Sequence, residues 1–171
     1  MDPVSELPES VNWQAHVNPT VPNQGGCGSC WSFASTAVVE SHYSIASGDN
    51  APFISLSEQN MLQCSPNPDH CGGSGGCDGS TVELALNYIA DVTTRAVGGM
   101  FTVADIPYSA SPQQSCDTLT EGRSPTVGIS GWTQLPMNNY QATMNALAKV
   151  RFNYAESFTV PGVCVRAEPD L

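Results

Sequence analysis

Positive charge is scarce in this chain: five Lys and Arg stand against sixteen Asp and Glu in 171 residues, a net charge of −11. A surface of that sign repels phosphate backbones and anionic headgroups, so nucleic acid and membrane surfaces are set aside as partners. Long apolar runs are missing too. No stretch of about 18 apolar residues exists to cross a bilayer. The first 20 residues hold Asp2, Glu6, Glu9 and three prolines, and so lack the apolar centre of a signal peptide. Histidine is limited to His16, His42 and His70, with none beyond. There is no internal repeat and no low-complexity segment, and 40% hydrophobic residues suffice for one domain with its own core.

Cysteine, by contrast, is plentiful. Five of the seven lie between Cys27 and Cys77 among Gly, Pro and Asn, the pattern of a disulfide framework made in an oxidising compartment. Such a framework without a leader implies a sequence that begins at a maturation point or is incomplete.

Along the chain, four prolines in the first 26 residues predict extended segments and turns. From Cys30 to about Ser47 there is neither Pro nor Gly. Phe33, Ala34, Ala37, Val38, Ser41 and Ile45 recur at spacings of three and four, which predicts a helix that starts at Cys30 and stops at Gly48. Ser55-Leu56-Ser57-Glu58 matches a capping box opening a short helix toward Cys64. Cys64 to Gly79 reads as a loop. Ser80-Thr81-Val82-Glu83 is a second box, before a helix whose apolar stripe is Val82, Ala85, Leu86 and Ile89. Val127 to Trp132 looks like a strand, Asn139 to Lys149 like a further helix, and Val150 to Leu171 shows no period.

The chemistry concentrates in Gln24-Gly25-Gly26-Cys27-Gly28-Ser29-Cys30-Trp31-Ser32-Phe33-Ala34. A helix N-terminus presents unpaired N–H groups and about half a positive charge, which favours a thiolate, and Cys30 is placed there. The glycine-rich turn lets a substrate approach the backbone closely, the Cys30 N–H can donate to an oxyanion, and the Gln24 carboxamide can fold back as a second donor. Other readings stay open at this point. Cys27 and Cys30 could be a redox pair, although prolines and glycines rather than a strand precede them. Cys64, His70, Cys71 and Cys77 have zinc-ligand chemistry, but their spacing lacks the close hook of structural sites. Trp31 and Phe33 are ordinary core candidates, and His16 reads as a surface histidine.

The segment resembles the active-site stretch of papain-like cysteine proteases. The likeness extends to Leu7-Pro8-Glu9-Ser10-Val11-Asn12-Trp13, Leu56-Ser57-Glu58-Gln59, Gly76-Cys77-Asp78-Gly79 and Ile106-Pro107-Tyr108, in family order over residues 7 to 149. The resemblance implies an α+β, papain-like fold with its mainly helical half present and its barrel-like half largely missing. It assigns residues 1–126 to the helical half, 127–149 to the start of the second, and 150–171 to a divergent, poorly ordered tail. It implies Cys30 as nucleophile and Gln24 as oxyanion donor. Gly28, Ser29, Trp31, Gly79, Ser80, Thr81 and Val82 would face substrate, the last two as a wall of the specificity pocket. Bridges Cys27–Cys77 and Cys64–Cys116 are implied, with Cys71 and Cys164 unassigned. No cofactor and no metal are expected. Polypeptide substrates, a propeptide and a cystatin-like inhibitor are the expected partners, in a lysosome, a vacuole or the secreted milieu.

Two departures qualify this likeness. Ser80 stands where the family usually has a second Gly, which crowds the cleft wall. The family's catalytic His and Asn fall some 130 to 150 residues past the cysteine, where this sequence has no His. A truncated, spliced or frame-shifted C-terminus is the expectation, with an inactive or partner-binding homologue as the alternative.

Overall fold

Residues 1–48, 51–90, 99–112 and 114–149 are described by a computed structural model. The central element is helix α1, Cys30–Ser47, followed by α2 (Glu58–Cys64), α3 (Val82–Ala90), α4 (Cys116–Thr120) and α5 (Tyr140–Lys149). Short 3₁₀ turns at Val4–Glu6, Gln14–His16 and Gly76–Asp78 punctuate the loops. α1 runs unbroken because nothing from Cys30 to Ser47 lacks an amide or a side chain, and it stops where Gly48 takes φ +86°, a conformation that disfavours other residues.

α2 and α3 pack against α1. Met61, Leu62, Ala85, Leu86 and Ile89 from these helices, with Leu56 and Met100 from adjoining loops, form a core in which each is at most 2% exposed. Burying each of the larger side chains contributes about 1.5–3 kcal/mol. The α3 stripe falls as its spacing predicts, with Tyr88 joining Val82, Ala85, Leu86 and Ile89 in the interior.

The buried face of α1 differs from the expected one. Trp31, Ser32, Ser35, Thr36, Val39, Glu40 and Ser44 are buried, whereas Ala34 and Ala37 are exposed. Small hydroxyl residues can line this seam where the helix satisfies them: Ser35 Oγ donates to Trp31 O at 2.7 Å and Ser32 Oγ to Ser29 O at 2.9 Å, whereas Thr36 Oγ1 is buried without a partner. A hydroxyl paired within its own helix is buried at little cost and lets the neighbouring helix approach closely.

The caps are displaced as well. Ser57, not Ser55, starts α2, accepting from Asn60 N at 2.9 Å while its hydroxyl donates to Ile106 O at 2.6 Å. At α3 the nearest cap contact is from Leu84 N to Thr81 Oγ1 at 3.5 Å, while the Ser80 hydroxyl is buried without a partner. The strand expected over Val127 to Trp132 is not formed. Val127 contributes only an isolated antiparallel bridge to Met100, matching a second bridge between Leu56 and Thr102. One neighbour is too little ladder for a strand.

The N-terminus folds across to α5. Asp2 N donates to Asn145 Oδ1 at 2.9 Å, Asn145 Nδ2 returns a bond to Asp2 O at 2.9 Å, and Lys149 Nζ lies 2.7 Å from Asp2 Oδ2. The predicted tail from residue 150, Cys164 included, lies outside the described residues.

Candidate active site

The turn from Gln24 to Cys30 is fixed at several points. Cys27 and Cys77 are disulfide-bonded across 50 residues, and beside that bond Gly28 N donates to Cys77 O at 3.0 Å. A Cβ at residue 28 would sit 2.4 Å from that oxygen, so only glycine fits. Trp31 adds a third tie, its indole N–H donating to Gly76 O at 3.1 Å while its rings fill the core. Cys27, Gly28 and Trp31 are thus all held against the Gly76–Asp78 segment.

Ser29 caps α1 from a fully buried position, its carbonyl accepting from Ser32 N at 2.9 Å and Phe33 N at 3.2 Å. Cys30 follows as the first residue of α1, and its thiol is free and exposed. Gln24, half-buried at the other end of the turn, donates from Nε2 to Cys27 O at 2.8 Å. A carboxamide nitrogen carries two hydrogens. One is spent on that carbonyl, and the other remains available to a ligand.

Gly79, Ser80, Thr81 and Val82, expected along a cleft edge, follow the 3₁₀ turn Gly76–Asp78 and lead into α3. Gly79 has φ +97°, and a Cβ there would meet Gly72 O at 2.4 Å. Its carbonyl accepts from Gly75 N at 2.7 Å, which holds the loop against the 3₁₀ turn. Gly79, Ser80 and Thr81 are half-exposed, while Val82 turns into the core.

Cys64 and Cys116 form a second bridge, and Cys71 is disulfide-bonded too. The redox reading is therefore corrected: Cys27 is committed to Cys77, and Cys30 has no disulfide partner. Zinc fares no better, because Cys64, Cys71 and Cys77 are all in disulfides, and no metal-holding cluster occurs among the described residues.

None of the histidines that can be located along α1 reaches the thiol. His16, expected on the surface, is only 6% exposed, with Nδ1 3.2 Å from Ser44 Oγ and the Trp13 ring 6.1 Å away. Ser44 is fourteen residues past Cys30, about 21 Å along the helix axis. His42, twelve residues past Cys30, is about 18 Å along, and burial pushes its imidazole down to about 4, keeping it neutral. His70 is exposed on the loop before Cys71, at φ +55°.

Two further features were not anticipated. Glu40 and Glu58 are both buried; burial raises both carboxyls, Glu40 despite its bonds from Leu56 N at 2.7 Å and Asn18 Nδ2 at 3.4 Å. Tyr108 packs edge-on against Phe33 with ring centroids 4.8 Å apart and bonds to both ends of the Gln24–Ser29 turn. Beside this pair lies a cavity of about 300 Å³ lined by Asn18, Thr20, Leu56 and Glu58. Neither Cys30 nor Gln24 lines it, so it is not the space in front of the thiol.

A family model described as papain family cysteine protease matches residues 7–160. The oryzain beta chain of Oryza sativa subsp. japonica is 38% identical over 149 residues, covering 86% of this chain and 29% of that protein. Among solved structures, the Carica candamarcensis cysteine protease CMS1MS2 in complex with E-64 is 34% identical, with a TM-score of 0.63 over 80% of this chain and 57% of that one. The Amb a 11 cysteine protease, a major ragweed pollen allergen, in its proform is 28% identical, with a TM-score of 0.65 over 84% of this chain and 39% of that one. The chain spans less than two thirds of the length of each of these relatives.

Proposed function

Because this chain belongs to the papain family of cysteine proteases and shares its fold, seen here in the mainly helical part, we propose that it carries the nucleophile of a cysteine peptidase. The observation that supports this most is the free, exposed Cys30 at the start of α1, behind a turn pinned by the Cys27–Cys77 bridge. In this reading the Cys30 thiolate attacks a peptide carbonyl carbon, and the C=O electron pair moves to oxygen. The Cys30 N–H and the second hydrogen of Gln24 Nε2 stabilise the oxyanion. The oxyanion pair re-forms the C=O, the C–N bond breaks and the amine leaves with a proton from a general acid; water then adds to the thioester carbon, the C–S bond breaks, and the peptide acid and the Cys30 thiol are released.

Gly28, Ser29 and Trp31 shape the floor, and Gly79, Ser80 and Thr81 the edge against which an extended peptide lies, with Val82 behind them in the core. Polypeptides are the substrates, and a propeptide or cystatin-like inhibitor would occupy the same cleft. Three disulfide-bonded pairs or half-pairs suit an oxidising compartment, vacuolar, lysosomal or secreted. No helix among the described residues is long and apolar enough to cross a membrane.

The proton donor for the amine is the weak point. With His16 and His42 far along α1 and His70 on an exposed loop, no imidazole is hydrogen-bonded to Cys30 among the described residues. General acid–base help is typically worth ~10²–10⁴-fold, so the chain by itself does not turn over amides. That same lack favours a second reading, a module that captures peptides in the cleft without cleaving them.

An activated ester separates the two. A nitrophenolate leaves without being protonated, so an N-acyl amino acid nitrophenyl ester should acylate Cys30 even without imidazole. The expected result, under mild reduction that spares the disulfides, is a burst of about one nitrophenol per chain, absent in Cys30→Ala, with no turnover of a fluorogenic dipeptide amide. A wild-type chain with no burst overturns the nucleophile and leaves the capture module.

A further inference from the structure

A turn rich in glycine is a poor place to hold two hydrogen-bond donors still. Between Gln24 and Ser29, Gly25, Gly26 and Gly28 are all exposed, and glycine has the widest backbone freedom. Yet both donors assigned to the oxyanion, the Gln24 carboxamide and the Cys30 N–H, sit at the two ends of this turn. The disulfide and the Gly28–Cys77 bond hold its middle.

The ends are held by one phenol. Tyr108 Oη donates to Gln24 O at 2.9 Å. Its single hydrogen is then spent, so in the 2.6 Å contact between Tyr108 Oη and Ser29 Oγ the serine is the donor. Ser29 has one hydroxyl hydrogen as well, and its alternative acceptor, Cys27 O, is more distant at 3.4 Å. The relay therefore runs from Ser29 through Tyr108 to Gln24, and its direction is set by proton count. Ser29 is fully buried and immediately precedes the nucleophile.

The phenol is itself rigidly mounted. Its ring meets Phe33 edge to face. Upstream, Ile106 is 1% exposed and its carbonyl accepts from Ser57 Oγ. Downstream, Ser109 N donates to Gln59 Oε1 at 3.0 Å. Both anchors belong to α2 and its cap, so the position of α2 in the core is transmitted to the turn.

We propose that Tyr108 is a positioning residue for the oxyanion site: its hydroxyl clamps Gln24 and Ser29 together, and so sets where the Gln24 carboxamide and the Cys30 amide point. This rests on the peptidase reading and deepens it. The clamp does not touch the thiol, so it should matter to ligands that place an oxygen in the site and not to those that only need sulfur.

Two electrophiles make that split. A dipeptidyl aldehyde forms a hemithioacetal: the Cys30 sulfur bonds to the carbonyl carbon, the C=O pair moves to oxygen, and the thiol proton passes to that oxygen through solvent. Iodoacetamide alkylates sulfur and expels iodide, placing no oxygen in the site. Aldehyde affinity is read by protection of Cys30 from alkylation. Losing an oxyanion donor costs ~10²–10³-fold in rate; a donor left in place but misdirected should cost less, about 5–30-fold in affinity.

Tyr108→Phe is expected to weaken aldehyde capture by that factor while its iodoacetamide rate stays within about twofold of wild type. Gln24→Ala, which removes a donor outright, should lose more with the same selectivity, and adding Tyr108→Phe to it should cost less than Tyr108→Phe costs alone, since the part of the clamp that acts through Gln24 is already gone. Ser29→Ala cuts the clamp at its other end, and is expected to show the same selective loss should Tyr108→Phe not fold. Unchanged aldehyde capture in the clamp variants, equal slowing of both electrophiles, or additive losses in the double variant each overturn the proposal. Wild-type protein that fails to capture the aldehyde at Cys30 overturns the peptidase reading, and the clamp with it.

Discussion

Gly28→Ala is a small change with a large expected effect. The added methyl would lie 2.4 Å from Cys77 O, a backbone atom, and must move to beyond about 3 Å. Neither side can yield easily, because residues 27 and 77 are joined by the disulfide and Trp31 holds Gly76. The Gly28 N–Cys77 O bond at 3.0 Å stretches as the two strands separate. Overpacking costs about 1–3 kcal/mol and a lost hydrogen bond about 0.5–1.5 kcal/mol, so about 2–4 kcal/mol in all. Gly26→Ala is the matched control, since a Cβ there meets nothing within 4 Å. Urea denaturation followed by tryptophan fluorescence measures both. The reasoning fails if Gly28→Ala unfolds within about 0.5 kcal/mol of Gly26→Ala, for the two turns of chain would then not be in contact.

Other perturbations test the rest of the scaffold. Ser57→Ala removes both the cap on Asn60 N and the donor to Ile106 O, and should cost about 2–3 kcal/mol in urea unfolding; a loss below about 0.5 kcal/mol would mean that α2 does not depend on this cap. His42, lowered from 6.5 to about 4 by burial, binds its proton more weakly folded than unfolded. It contributes stability present above pH 6.5 and lost as pH falls toward 4, about 2 kcal/mol after allowance for partial exposure. His42→Gln should lose correspondingly less stability across that window, and parallel pH profiles would refute the assignment. Glu40 and Glu58, raised by burial, act in the opposite sense. Their contribution is full below the ordinary carboxylate value and is lost as pH rises through their raised values, so Glu58→Gln should flatten the decline in stability as pH rises above the ordinary carboxylate range, and an unchanged decline would count against it.

Local features were legible in the sequence. The ends of α1 follow from a Pro- and Gly-free run closed by Gly48, and the α3 stripe from its spacing. Both are decided by neighbours within a turn or two. The buried face of α1 was not legible, because the rule that apolar residues go inside ignores serines that bond to their own helix. The caps were misplaced by one or two residues because Ser55 and Ser57, or Ser80 and Thr81, offer the same chemistry, and Ile106 in the tertiary structure selects Ser57. Val127 needed a partner that only Met100 supplied. His16 became buried through Ser44, 28 residues on, and Tyr108 reached Gln24 across 84 residues. Cys30 and Gln24 can be proposed from a single eleven-residue segment, whereas the Tyr108 bonds to Gln24 and Ser29 depend on contacts across 84 and 79 residues.

The proposal that Cys30 is a nucleophile facing a peptide-binding cleft can be tested on the thiol itself. Its most direct test is labelling with a peptidyl epoxide, read as intact mass and then as the modified peptide after digestion. One label per chain is expected on Cys30, blocked by excess peptide aldehyde and faster than labelling by the same epoxide without its peptide. Labelling at the same rate without the peptide portion, or modification spread over several residues, would contradict it.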